Sequence, residues 1–276
     1  MGLLERPTRD GNGAILYPQA AEATFAVEGR DPSPALAGLV QSYWITRWDR
    51  RGQPPFVQRV LPSPSVNLTL KRGRSRVAGL TLGMFTEVLE DRHVVFGVRF
   101  RPGGFRPYLG TSVSSISNRF LPIGEVFGPA GVALETPVVE AASTDEMVTV
   151  VEAFLVERLP ALDPTVHLVA TLVAEVAADS TLTRVDDLAH RHHVGVRRVQ
   201  RLFAEYVGAS PKWVIRRYRM QEAAAKAAVG PVSWTRLAAD LRYSDQAHFC
   251  RDFIANVGVA PSSYARSCAG GPACLD

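Results

Sequence analysis

Apolar and polar positions change their period partway along this chain. Before residue 140 the period is two. Val94, Phe96, Val98 and Phe100 fall on one side of an extended segment, and Val95, Gly97 and Arg99 on the other. Residues 65–70 and 77–82 read as further short strands. Trp44 and Trp48 share one side of another, opposite Tyr43 and Arg47. Turn residues punctuate the stretch densely at Pro54-Pro55, Pro62-Ser63-Pro64 and Arg101-Pro102-Gly103-Gly104. The pattern predicts that residues 1–140 are mostly strands, folded as a compact β-sandwich or β-barrel. Residues 101–105 read as a strand end turning into a short helix. Their glycines serve either a tight turn or a pocket rim where a ligand approaches the backbone.

From residue 145 the period becomes that of a helix. Met147, Val150, Val151, Phe154 and Leu155 form one stripe of a helix over residues 145–159, which packs on the sheet or pairs with its copy in a dimer. Residues 160–164 read as a linker and residues 165–178 as the next helix. Val185, Leu188 and Ala189 give a third helix its buried side, and a turn follows at residues 192–195. Over residues 196–206, Val196, Val199, Leu202, Phe203 and Tyr206 face inward. Arg197, Arg198 and Arg201 face outward, with Gln200 beside them. Ser210-Pro211 then opens a long helix: serine caps free amides and proline at the first position needs no donor. It runs through Trp213, Ile215, Tyr218 and Met220 to Gly230-Pro231.

The skeleton then repeats. Leu188-Ala189, a turn, a helix ending in Arg201-Leu-Phe203 and Gly208-Ala-Ser-Pro211 is followed by Leu237-Ala238, a turn, a helix ending in Arg251-Asp-Phe253 and Gly258-Val-Ala-Pro261. Two helix-turn-helix-like units joined by one long helix imply a reader of two adjacent major-groove segments of duplex DNA. Arg197, Arg198, Gln200 and Arg201 suit base edges in the first unit, because Arg grips guanine O6/N7 and Gln grips adenine N6/N7 at two points. In the second unit Ser244, Gln246, Ala247, His248 and Arg251 take that role, and Asp245 either caps the helix or accepts from cytosine. With Gln200 and Gln246 taken as equivalents, the units repeat 46 residues apart. A spacer of about 18 residues spans roughly 27 Å, compatible with heads one duplex turn (~34 Å) apart. Lys212, Arg216, Arg217 and Arg242 are candidates for phosphate contacts, with at least one of the cations on the long helix free to brace the units internally. The expected domains are 1–144 (β-rich, sensing or dimerising), 145–163 (helix and linker), 164–267 (DNA-binding) and 268–276 (tail).

Charge supports this division. Residues 1–179 hold 17 Lys+Arg and 19 Asp+Glu, whereas residues 180–276 hold 14 and 8, so the overall +4 comes from the second part. A basic excess there is what phosphate binding needs. Cys250, Cys268 and Cys274 show no CxxC spacing, which argues against a disulfide framework or a zinc knuckle. His190-Arg-His-His193 reads as surface residues, since adjacent histidines on a short helix point apart. His93 is the single histidine before residue 160, and no hydrolase elbow, zinc-protease motif or phosphate loop occurs. No metal, cofactor or enzymatic activity is expected. An alkyl-transfer repair activity would need a nucleophilic thiolate, yet residues 1–249 contain no cysteine. No run is long enough to span a bilayer and no signal peptide is evident, so the expected location is the cytoplasm, on the nucleoid, without membrane contact. Trp44, Trp48, Arg99 and Arg101 are the candidates for a small-molecule site, although an aromatic stripe is more often core than pocket lining, and Arg99, Arg101 and Arg106 read more readily as solvated charges than as receivers of an anionic ligand.

Val199-Gln-Arg-Leu-Phe203, Gly208-x-Ser-Pro211, Tyr243-Ser-Asp-Gln-Ala-His-Phe249, Arg251-Asp-Phe253 and Gly258-x-x-Pro261 together resemble the AraC/XylS family of bacterial transcription regulators over about residues 165–266. Leu61-Pro-Ser-Pro-Ser-Val-Asn-Leu68 and Val98-Arg-Phe-Arg-Pro-Gly-Gly-Phe105 are similar to a sensor-type domain found ahead of that module. The resemblance implies an α+β chain: an N-terminal β-barrel or sandwich of cupin-like form, then an all-α domain with two helix-turn-helix units. It implies an activator or repressor tuned by a small effector, with RNA polymerase as a partner and a homodimer as a possible form. If the N-terminal domain only dimerises, the regulator is constitutive. Two residues depart from the family pattern. Gly195 replaces a Ser/Thr cap at a cost of a few tenths of a kcal/mol. Arg242 replaces a turn glycine, at a cost on the order of 1 kcal/mol if that turn needs positive φ.

Overall fold

Residues 14–269 are described by a computed structural model. The chain opens with β1 (Ala14–Ile15), α1 (Pro18–Glu22), β2 (Ala26–Arg30), β3 (Val40–Asp49), β4 (Phe56–Leu61), β5 (Asn67–Leu70), β6 (Arg76–Ala78), β7 (Phe85–Leu89) and β8 (Arg92–Phe100). After these come α2 (Arg106–Leu109), a 3-10 turn (Val113–Ile116), β9 (Phe120–Pro122), α3 (Ile123–Ala133), α4 (Glu135–Val139) and α5 (Thr144–Glu157). Among the described residues the strands form two open sheets, ordered β1-β4-β7 and β2-β3-β8-β5-β6-β9, and neither closes into a barrel. The paired strands are antiparallel.

The period-two pattern sets the register of the larger sheet. Ile45 pairs with Phe96, and Tyr43 and Leu68 pair with Val98, so their side chains share one face. That face is dry because α3, α4 and α5 cover it with Ile123, Val138, Met147, Val151, Phe154 and Leu155. The stripe of α5 is therefore buried within the chain, which removes it as a dimer seam. Ser143 caps α5 by accepting from the Glu146 amide at 3.1 Å.

Residues 106–139 depart from the expected strand-rich reading and are largely helical. Gly128, at φ +62°, and Pro129 interrupt the apolar run of α3, and this turn-like composition hides the helix from pattern reading. At residues 101–105 the glycines serve packing. A Cβ on Gly104 would lie 2.2 Å from the Leu39 carbonyl oxygen, and Gly103, at φ +86°, packs on Val169.

The second part is helical: α6 (Pro164–Ala178), α7 (Val185–Arg191), α8 (Val196–Leu202), a wide turn (Phe203–Val207), α9 (Pro211–Val229), α10 (Trp234–Asp240), α11 (Gln246–Val257) and α12 (Pro261–Ala269). The expected tail starts too early, because Cys268 is buried inside α12. Cys274 lies outside the described residues. Ser210 caps α9 by accepting from the Trp213 amide at 3.2 Å. Ser210→Ala is expected to cost about 1 kcal/mol, read as a lower urea midpoint.

Two separate apolar cores hold this part. One gathers Val169, Leu172, Leu188, Val199, Phe203, Val214 and Ile215. The other gathers Met220, Ala223, Leu237, Phe249, Phe253, Val257 and Tyr264. Helix α9 contributes to both.

Candidate nucleic-acid interface

Each unit builds the same corner. In the first, the Val194 amide donates to the Ala189 carbonyl at 2.9 Å. In the second, Tyr243 donates to Ala238 at the same distance. Both corners turn on a left-handed residue, His193 at φ 52° and Arg242 at φ 57°. The departure at Arg242 thus falls on a position that does need positive φ, and His193 carries the same strain in the first unit. His192 is half-buried, with Nε2 against the Glu175 carboxylate, so the histidine run is partly a structural brace. Arg191 donates to Glu175 and Asp179 at 2.8 Å each, tying α7 to α6.

The helices that follow are equivalent at a spacing of 50, not 46. Gly195 and Asp245 are the N-caps, and Gly208 and Gly258 end the units at φ 87° and 86°. Gln200 therefore corresponds to Cys250, and Gln246 to Val196. Before the loop the units match at a spacing of 49 (Ala189 with Ala238, His193 with Arg242), and one extra residue in the second loop, Ser244, raises it to 50. The matched outward pairs are Arg197 with Ala247, Arg198 with His248, Arg201 with Arg251, and Ala204 with Ile254. All eight are exposed. Pattern reading missed Ala204 and Ile254, which become visible only once the spacing of 50 is known.

The outward set is held by its neighbours. Asp245 accepts from the His248 amide at 2.7 Å, which fixes its role as a cap. That backbone bond, with the Ser244 hydroxyl, holds the Asp245 carboxyl below the usual range. Ser244 also reaches His248 Nδ1 at 3.2 Å, and Thr235 donates to Gln246 Oε1 at 2.7 Å. Gln200, Arg201 and Arg251 are exposed.

The four phosphate candidates separate sharply. Lys212 and Arg242 are exposed. Arg216 pairs with Asp252 at 2.7 Å and braces α9 against α11. Arg217 contradicts the expectation. It is 1% exposed, and its Nη2 donates to the carbonyls of Leu82 and Gly83 at 2.5 and 3.0 Å. It lies on the α9 face of Val214, Met220 and Gln221, which the β domain covers. Burial, then the nearby Arg216, pulls its pKa down to about 10. Its Nε and Nη1 meet no acceptor. A buried cation with neutral partners costs desolvation that apolar packing does not. Arg217→Met is expected to leave the urea midpoint equal or higher, whereas a clear drop would assign the carbonyl bonds a dominant role.

In the β domain, Trp44, Trp48 and Arg99 share the face of the larger sheet opposite its core. Trp44 lies flat on Gly97, where a Cβ would come within 1.9 Å of the indole, and its Nε1 donates to Asn67 at 3.2 Å. Trp48 is buried and donates to the Glu90 carbonyl at 2.9 Å. Burial draws Arg99 down to about 10, with Tyr218 of α9 close enough to oppose the shift. Arg101 lies beyond the strand end and donates to the Ala37 carbonyl at 2.6 Å. Arg106 pairs with Glu205 at 3.1 Å. Among the described residues no group of three metal-ligating side chains forms, and no helix is long and apolar enough to cross a membrane.

Residues 188–267 match the family described as a helix-turn-helix domain. Residues 29–122 match one described as a domain of unknown function (DUF6597). No curated protein matches the chain. Among solved structures, the chain is similar to ToxT from Vibrio cholerae O395 at 12% identity and a TM-score of 0.40, over 90% of this chain and 99% of that one. A 1.65 Å structure of ToxT from Vibrio cholerae gives 15% and 0.37, over 93% and 94%. Unsaturated fatty acid-bound wild-type ToxT from Vibrio cholerae gives 11% and 0.39, over 88% and 95%.

Proposed function

We propose that this chain, whose residues 188–267 belong to the AraC-type helix-turn-helix domains, regulates transcription by reading two successive major-groove segments of one duplex. The observation that carries this reading is the pair of equivalent, exposed faces set on one helix. Arg197, Arg198 and Arg201 line the first, and His248 and Arg251 the second. Helix α9 has 19 residues, about 28 Å at ~1.5 Å per residue, close to one duplex turn. Arg197, Arg198, Gln200 and Arg201 read bases in the first segment, and Ser244, Gln246, Ala247, His248 and Arg251 in the second. Lys212 and Arg242 contact phosphate. RNA polymerase is the protein partner of such a regulator, and a second copy of the chain would dock away from the buried stripe of α5.

The β domain takes an effector in this reading. Arg99 is a half-buried cation on a sheet face that also carries Trp44 and Trp48, and it is the charge an anionic small molecule would meet there. Titration with small carboxylates should change tryptophan emission in the native chain and lose that response in Arg99→Gln. Mapping of genomic binding sites with and without candidate metabolites, followed by anisotropy on the recovered duplexes, tests the whole proposal. Sequence-selective binding is expected, and equal affinity for all duplexes would refute it. Lys212→Ala should weaken every duplex alike and lower the slope of log affinity against log salt by about one unit. An unchanged slope would remove Lys212 from the phosphate set.

A further inference from the structure

The two reading units touch each other mainly through α9, and a cleft of about 890 Å³ separates them elsewhere. Its walls include Leu182 and Asp179 on one side, Arg236 and Asp240 on the other, and Tyr218 and Lys226 from α9. Helix α9 sets the separation of the two units, and the way each unit packs on it and on the β domain sets their relative angle. Away from that cleft, the β domain packs on both units. Leu80 is fully buried in the core of the first unit, with Leu39 and Leu82 packed beside it. Leu16, Tyr17 and Leu61 are buried in the core of the second, with Met84 packed beside them. One short segment, residues 80–84, thus reaches both units.

Polar contacts follow the same division. Ser117 donates to the Gly208 carbonyl at 2.7 Å, and Trp213 Nε1 to the Leu82 carbonyl at 3.2 Å, on the side of the first unit. Gln221 donates to the Leu61 carbonyl at 2.9 Å, and Gln19 to the Ala228 carbonyl at 3.2 Å, on the side of the second. Arg217 sits between them on Leu82 and Gly83. None of this covers the outward residues of α8 or α11, which stay exposed. The contact therefore orients the units rather than masking them.

We propose that the β domain is a splint, which fixes the angle between the two reading units and so sets the spacing of DNA segments they accept. The consequence for DNA rests on the reading function proposed above, but the splint itself does not. Spin labels placed by Asp187→Cys on α7 and Ala255→Cys on α11, with Cys250, Cys268 and Cys274 changed to Ala, report the distance between units without DNA. The full chain should give one narrow distribution. Tyr17→Asp with Gln221→Ala, which frees the second unit, should shift and broaden it, and so should Leu82→Asp, which frees the first. Amide exchange in β3, β8 and α11 is read in parallel. Broadening with protection retained in all three supports the splint. An unchanged distribution in both variants overturns it, because α9 alone would then hold the geometry. Broadening accompanied by lost protection in α11 also overturns it, because the β domain would then be needed to fold the unit rather than to orient it.

Discussion

Phe253→Ala is expected to destabilise the second reading unit by about 3–5 kcal/mol, the range for removing a fully buried aromatic ring. Phe253 is 0% exposed. Its ring centroid lies 5.8 Å from that of Phe249 and 5.7 Å from that of Tyr264, so it links α11 to α12. Their core also takes in Met220 and Leu237, which leaves little mobile surface to collapse into the void. Amide exchange should show the loss in α10–α12 and spare β3 and β8, whose core is separate. DNA binding should fall to what the first unit supplies alone. A loss under about 1 kcal/mol would mean that the second unit is not organised around this ring.

Arg201→Ala carries the second large effect. Arg201 is exposed near the end of α8, two residues before the wide turn at Phe203–Val207, and its counterpart in the second unit is Arg251. An exposed arginine here contributes little to folding, so the urea midpoint should not move. If it grips a guanine at two points, its loss costs about 1–3 kcal/mol of affinity and relaxes preference at one base pair. Equal weakening on all sequences would reassign it to phosphate. Arg251→Ala should relax a different base pair, belonging to the other segment.

What could be read from the chain follows from how each signal is encoded. The period of two along residues 94–100 fixes a face because every second side chain meets the same core, and Phe96, Val98 and Phe100 are buried as that demands. The outward arginines of α8 were legible because Val199, Leu202 and Phe203 define the opposite side. Gln200 and Gln246 are not equivalent, because sharing a residue type does not fix alignment: the caps Gly195 and Asp245 and the closing Gly208 and Gly258 set the spacing at 50, which places the two glutamines at opposite ends of their helices. The α3 region was hidden by Gly128 and Pro129, which look like turn residues in any window.

The contacts between the two parts left no periodic trace. Leu80 and Leu82 read as strand residues, yet they complete the core of a helical unit. Arg217 belongs to a run of cations along α9, and nothing local distinguishes it from Lys212, its exposed neighbour. Its burial is decided by carbonyls more than 130 residues earlier in the chain. Tertiary placement of this kind overrides local composition.

The most direct test of paired groove reading is a hydroxyl-radical and guanine-methylation footprint of the full chain on a duplex recovered from its genomic sites. Two protected major-groove patches on one face, about one helical turn apart, are predicted, with Arg201→Ala uncovering one patch and Arg251→Ala the other. A single patch that both substitutions weaken alike would contradict the account.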